Sequence, residues 1–190
     1  MPTRSSLGKA LFLFLGISLA VRATNTSSPS IQDCASLAAL LPDQVFLPSG
    51  STYTSEEKSY YSELEAEISP TCIVQPSSAQ DVATIINYLR TSPHVGDTLV
   101  AIRSGGHTPW AGAANIQDGV TIDMSRLNET TLSPSKETAS VGVGARWGSV
   151  YSALASEGLA IMGGRVSTVG VGGLVLGGTL RKKTGFHSCC

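Results

Sequence analysis

Glycine is concentrated in two short parts of this 190-residue chain, and that concentration limits the fold more than any other feature. The first is the Gly105-Gly106 pair within residues 103–107, directly after the apolar run 99–102. The second is the segment 163–178, where seven of sixteen positions are glycine. Ordering so many glycines costs conformational entropy, so we expect the backbone there to approach something closely. A large flat or phosphorylated ligand is one such neighbour.

Both glycine-rich segments also have plainer interpretations. Residues 103–107 could form only a tight turn between two elements. Residues 163–178 could be a flexible connector, although the valines and leucines between the glycines favour packing. Neither spacing fits the G-x-G-x-x-G dinucleotide fingerprint or the P-loop. A Gly-Gly bend can still turn several N–H groups toward an anionic oxygen, and the Arg103 side chain could add a charge-assisted contact.

The apolar pattern predicts strands that alternate with helices. Strands are predicted at 72–74, 99–102, 120–124, 139–143 and 159–162. The run 99–102 is continuously apolar, which is typical of a strand covered on both faces. Helices are predicted from i, i+3, i+4, i+7 spacing over 82–89, where Ser77 and Gln80 form a capping box, and over 147–154, ended by Gly158. Weaker helical patterns occupy 36–41 and 60–68. We therefore expect an α+β or α/β domain from about residue 70 to 178.

The first 23 residues have the pattern of a signal peptide. Arg4 and Lys9 precede the apolar run 10–21, and small residues stand at the two positions that a signal peptidase reads. A membrane anchor is the alternative, but twelve residues of helix rise only ~18 Å against a hydrocarbon core of ~30 Å. We expect secretion, cleavage after residue 23, and no membrane association of the mature chain.

Export would place the cysteines in an oxidising compartment. Cys34 and Cys72 precede the terminal Cys189-Cys190 pair, and we expect them to form a disulfide that ties residues 24–70 to the following domain. Two free buried thiols are the alternative. Asn25 and Asn128 stand in N-x-Ser/Thr patterns and are candidate glycosylation sites.

Charge and histidine placement limit the partners. Thirteen basic against fourteen acidic residues, with no basic run that could neutralise a phosphate backbone, disfavour nucleic acid. His107 could be a surface or hydrogen-bonding residue, or a nucleophile beside a bound dinucleotide. Metal ligation is the third interpretation, but His94 and His187 lie on unrelated segments, and we predict no metal site.

Four stretches together resemble a known family: residues 76–82, 103–107, 119–126 and 163–174. They are similar to secreted FAD-linked oxidoreductases of the berberine-bridge-enzyme-like group, whose PCMH-type FAD-binding fold is shared with vanillyl-alcohol oxidase. The resemblance implies an α+β FAD-binding domain over 71–178. It also implies oxidation of an alcohol, a sugar or a secondary metabolite, with electrons passed to oxygen.

The resemblance also implies roles for individual residues. Residues Arg103, Ser104, Gly105 and Gly106 would hold the FAD pyrophosphate through backbone N–H groups, and His107 would bond covalently to the flavin. Residues Thr168, Val169, Gly170, Gly172 and Gly173 would line the flavin, with the small Val169 favouring access of oxygen. Doubly attached relatives carry cysteine where this chain has Val166, so we expect single attachment.

The resemblance ends at Gly178. Residues 179–190 diverge from the family pattern, and the substrate-binding domain of the relatives, with the catalytic base, has no counterpart here. The resemblance therefore implies a truncated oxidoreductase with little turnover of its own. A secreted binding module without catalysis, derived from such an enzyme, is the alternative.

Overall fold

The computed structural model describes residues 27–178, which form six α-helices and six β-strands. The helices are α1 Pro29–Leu40, α2 Ser51–Glu57, α3 Glu63–Ala66, α4 Ala79–Thr91, α5 Trp147–Ala155 and α6 Val171–Gly177. The strands are β1 Val45–Phe46, β2 Cys72–Val74, β3 Val100–Arg103, β4 Val120–Asp123, β5 Thr130–Leu132 and β6 Ala139–Val141. The predicted signal peptide, Asn25 and the predicted divergent tail lie outside the described residues.

Four of the strands form one mixed sheet. Its order is β1-β2-β4-β3, with β4 parallel to both β2 and β3, and β1 antiparallel to β2. Strands β5 and β6 form a separate antiparallel pair. This mixture of strand directions and helices confirms the predicted α+β fold. Within residues 27–178, no helix has both the length and the apolar character needed to cross a membrane.

The first hydrophobic core lies between the mixed sheet and helices α1 and α4. Its buried side chains are Cys34, Leu37, Leu41, Cys72, Val74, Ile85, Val120 and Ile122. The disulfide between Cys34 and Cys72 lies inside this core and joins α1 to β2. The N-terminal segment is thus tied to the sheet by both packing and a covalent bond, in agreement with the predicted pairing.

The second core forms around α5. Trp147, Val150 and Leu154 are buried on one face of that helix, as the spacing predicted, and they pack with Ala145 and Val171. Gly158 follows the helix with φ of +71°, in the left-handed region predicted for a helix end. This core contacts β5 and β6 and the start of α6.

Strand β3 forms where an apolar strand was predicted, but the prediction that both faces are covered is wrong. It pairs only with β4 and is the edge of the sheet. Val100 and Ile102 are 40% and 59% exposed, whereas Ala101 and Arg103 on the opposite face are buried. A continuous apolar run cannot distinguish an edge strand from a central one, because edge position depends on the order of strands in the sheet.

Three local predictions also differ from the structure. Residues 159–162 form no strand, and the glycine-rich segment contains helix α6, which its three glycines did not predict. Helix α4 begins after Ser78, whose Oγ accepts the Asp81 N–H at 3.1 Å, so Ser78 and not Ser77 is the cap. Ser77 instead donates its hydroxyl to the Asp81 carboxylate at 2.8 Å.

Candidate functional site

The two glycine-rich segments meet in space. The first bend is residues 103–107 and the second bend is residues 163–170. A Cβ added at Gly105 would come closer than 3.0 Å to the backbone of Gly170, and a Cβ at Gly170 would come equally close to Gly105. The close approach that the glycines permit is therefore between the two bends themselves, backbone against backbone.

The first bend carries backbone donors without acceptors. The N–H groups of Gly105, Gly106 and His107 find no hydrogen-bond partner among residues 27–178. Gly105 and Gly106 are buried, and Gly106 has a φ of +62°. Buried N–H groups without partners are uncommon, and a concave run of them suits an anionic oxygen. The bend therefore fits a phosphate group.

The His107 imidazole lies between the bends. Its Nε2 is 3.2 Å from the Oγ1 of Thr168 on the second bend. The Tyr61 ring stacks on the imidazole, with ring centroids 4.0 Å apart and 15° between the planes. The structure thus brings His107 and Thr168 together. It adds Tyr61, which the sequence had placed only in a weak helical pattern.

The Arg103 side chain lies beneath the first bend, with its Nε next to Gly106. It is 1% exposed, and its Nη1 donates to the Glu56 carbonyl at 3.0 Å. The guanidinium stands 4.0 Å from the centroid of the Tyr60 ring, and Nη2 donates to Ser59 Oγ. In the structure this cation supports the bend through Nη1 and Nη2, while its Nε has no hydrogen-bond partner among residues 27–178, and the charge-assisted ligand contact considered from the sequence stays a prediction.

Two carboxylates lie beside that guanidinium, and Asp123 is buried whereas Glu56 is partly exposed. Arg103 Nη1 lies 3.5 Å from Glu56 Oε2 and 3.9 Å from Asp123 Oδ2. Close by, Asn115 Nδ2 donates to both oxygens of Glu57. Burial raises the pKa of Glu57 to about 7, while the Asn115 hydrogen bond and the positive charge of Arg103 act in the opposite direction. The first bend thus rests on charged groups held out of water.

The second bend rests on an aromatic ring. Cβ atoms added at Gly163 or Gly164 would come closer than 3.0 Å to the Trp147 ring. Tyr151 donates its hydroxyl to the Gly164 carbonyl at 2.6 Å, and the Trp147 N–H donates to the Val169 carbonyl at 3.0 Å. The Trp147 group that donates to Val169 is its backbone N–H, and these contacts hold the bend on the start of α5.

The other predicted site residues differ in solvent exposure and in their contacts. Thr168 is exposed, and Val169 is half-buried with its side chain packed against the second core. Gly172 donates its N–H to the Val143 carbonyl at 3.3 Å, and Ser104 donates its hydroxyl to the same oxygen at 2.7 Å. A Cβ at Gly173 would meet nothing within 4 Å.

A groove of about 400 Å³ lies beside Thr168. Its lining residues are Ser125, Asn128, Gly144, Arg146, Ser149, Ser167 and Thr168. Arg146 donates from Nη1 to the Thr168 carbonyl at 3.1 Å. The candidate glycosylation residue Asn128 is therefore exposed at the edge of the site.

A family described as "FAD binding domain" matches residues 70–190. Among curated relatives, the FAD-dependent monooxygenase sdcF of Emericella nidulans is 42% identical over 155 residues, covering 82% of this chain and 31% of the relative. The FAD-dependent monooxygenase drtC of Aspergillus calidoustus is 43% identical over 149 residues, covering 77% and 28%. The chain thus spans about a third of the length of these relatives.

Solved structures share the fold. The wild-type BBE-like 1 of Physcomitrella patens aligns with a TM-score of 0.60 at 27% identity, covering 74% of this chain and 29% of that one. The 6-hydroxy-D-nicotine oxidase of Arthrobacter nicotinovorans aligns with a TM-score of 0.58 at 26% identity, covering 67% and 27%.

Proposed function

The chain belongs to the FAD-binding domain family, and from this premise we propose that it is the dinucleotide-binding part of a flavin-dependent oxidase. The observation that carries the proposal is the run of N–H groups at Gly105, Gly106 and His107 that find no partner in the described part of the chain, set where the two glycine bends touch. In this proposal those donors bind the pyrophosphate, and the segment 168–173 lines the flavin.

The residues present fit this cofactor. The backbone donors of the first bend match anionic phosphate oxygens, and the buried Arg103 beneath them adds a fixed positive charge that favours an anion. When bound, the flavin accepts a hydride equivalent from the substrate, which is chemistry that side chains cannot supply. The chain's own part is to bind the dinucleotide, hold it in place and keep His107 oriented.

We further propose that His107 attaches to the flavin by a single covalent bond. In such an attachment an imidazole nitrogen of His107 would bond to the 8α carbon, with loss of the imidazole N–H and of one C–H of the 8α methyl. Dioxygen would take up the two electrons and two protons as hydrogen peroxide. Thr168 holds Nε2, so Nδ1 is the nitrogen free to react. Valine at position 166 in place of a cysteine supports one attachment point.

The proposed reaction removes a hydride from an alcohol, a sugar or a secondary metabolite and passes the electrons to oxygen. The relatives named as FAD-dependent monooxygenases support use of oxygen, but monooxygenation would place an oxygen atom in the product. We also propose that the protein is exported, which the Cys34–Cys72 disulfide supports because such bonds persist in oxidising compartments.

Acid precipitation of the complete natural protein that carries this chain tests the attachment. The wild-type protein and a His94→Ala control, which alters a histidine outside the site, should give yellow pellets. His107→Ala should release its flavin into the supernatant. A yellow pellet from His107→Ala would contradict the covalent bond.

The same preparations test the reaction. We expect a panel of alcohols and sugars under ¹⁸O₂ to give labelled peroxide and an unlabelled organic product. Label in the organic product would replace the oxidase proposal with monooxygenation. We expect residues 1–190 expressed alone to show little or no turnover, since the chain spans about a third of the length of its curated relatives. Turnover equal to that of the complete protein would refute that last expectation.

A further inference from the structure

We propose that Tyr61 is a positioning residue that orients His107 for bond formation, an inference that rests on the covalent attachment proposed above. Tyr61 lies between α2 and α3, about 45 positions before the histidine along the chain. It belongs to none of the stretches that suggested a cofactor. The structure alone places its ring on the imidazole.

Three successive residues, 59–61, contact the first bend. Ser59 Oγ accepts from the Arg103 guanidinium, and the Tyr60 ring lies against the same group. The Tyr61 N–H donates to the Gly106 carbonyl at 3.0 Å. This last bond holds the Tyr61 backbone beside the bend. The Tyr61 ring is therefore kept close to the His107 imidazole.

Two contacts together determine the orientation of the imidazole. The stacked Tyr61 ring restricts rotation of the His107 ring plane about its Cβ–Cγ bond. Thr168 binds Nε2 and thereby distinguishes the two flipped states of the ring. Two groups react faster when the protein already holds them in the reactive orientation. Loss of the stacking between Tyr61 and His107 should therefore slow the attachment of flavin.

A purely structural role does not account for Tyr61. Its side chain is 67% exposed and belongs to neither hydrophobic core. The adjacent Tyr60 is the structural residue of the pair, since it is 8% exposed and donates its hydroxyl to the Ala114 carbonyl at 2.9 Å. Because Tyr61 buries little surface, its replacement should leave stability nearly unchanged.

The test measures the rate at which acid-stable flavin accumulates when FAD is added to the apo form of the complete protein. The variants are Tyr61→Phe, which keeps the aromatic plane, Tyr61→Leu, which removes it, and His107→Ala. We expect Tyr61→Phe to attach flavin within about twofold of wild type and Tyr61→Leu about tenfold more slowly. Non-covalent FAD affinity and the melting temperature should be alike in the wild type, Tyr61→Phe and Tyr61→Leu.

The outcomes separate the two proposals. Acid-stable flavin in His107→Ala would overturn the covalent attachment and the role of Tyr61 with it. Attachment at the wild-type rate in Tyr61→Leu, with none in His107→Ala, would overturn only the role of Tyr61. A slow Tyr61→Leu that also loses FAD affinity or melts several degrees lower would assign Tyr61 a structural role and overturn the inference. Attachment in Tyr61→Phe as slow as in Tyr61→Leu would also overturn the inference, because the aromatic plane would then not be what sets the rate.

Discussion

The two bends that meet at Gly105 and Gly170 are supported in opposite ways. The first lies over a buried cation, Arg103, and the carboxylates around it. The second lies over the ring of Trp147 and the apolar core around α5. One site is therefore assembled from an electrostatic support and an apolar support. The first should respond to charge and pH, whereas the second should respond to side-chain volume.

The largest effect should come from removing the cation under the first bend. Arg103→Met leaves Glu56 and Asp123 near one another without their buried counter-charge, which should lower the free energy of unfolding by about 3–5 kcal/mol. Urea unfolding would measure the loss. Arg146→Met is the matched control, because Arg146 is only partly buried and has no ion pair among residues 27–178. An equal loss in both variants would remove the distinction between the bends.

A smaller effect should come from separating the bends themselves. Gly170→Ala places a Cβ against the backbone of Gly105 and should lower the free energy of unfolding by about 1–3 kcal/mol. Gly173→Ala is the control, since its Cβ meets open space and lies within helix α6. It should be neutral or stabilising by up to about 1 kcal/mol. Thermal melts would measure both variants. A melting temperature lower for Gly173→Ala than for Gly170→Ala would contradict the close contact between Gly170 and Gly105.

The smallest effect concerns pH. The pKa of Glu57 is raised to about 7 from an ordinary 4.5, so its protonated form is favoured by the fold. The stability it contributes is fully present below about pH 4.5 and is lost as the pH rises through about 7. We expect wild type to lose on the order of 1 kcal/mol between pH 5 and pH 8 from this group, and Glu57→Gln to lose less.

Hydrogen exchange would place that pH response within the site. Because Glu57 neighbours Arg103, amides near Gly106 should exchange faster at pH 8 than at pH 5 after correction for the intrinsic rate, and amides near Gly164 should not. Glu67→Gln, at an exposed position, should reproduce the wild-type response. Equal changes at both bends would show that the supports are not independent.

Local patterns predicted much of the fold. The spacing of Trp147, Val150 and Leu154 identified α5 and its buried face, and the expectation of export indicated the pairing of Cys34 with Cys72. Helix α6 was missed because glycine has low helix propensity, and contacts with the second core override it at Val171. The exposed face of β3 was missed because edge position is set by the whole sheet.

Local sequence patterns indicated candidate site residues, but they did not indicate which distant segments contact those residues. The glycines and His107 carry a pattern, and the family resemblance assigned them to one ligand. Tyr61 and the buried state of the Arg103 side chain carry no pattern, because both depend on contacts between segments more than forty residues apart. An arginine beside a glycine bend reads as a ligand contact until its neighbours in space are known.

The closest contacts across the seam between Gly105 and Gly170 join main-chain atoms, so the seam itself requires glycine at both positions and no particular side chain there. A hybrid protein that joins one bend from this chain to the other bend from a relative should therefore close the seam, provided that both positions remain glycine. Side chains farther out, such as those along the groove of Ser149 and Ser167, could then be exchanged to vary ligand preference without rebuilding the junction. That separation makes the seam a natural crossover point for recombining members of the family.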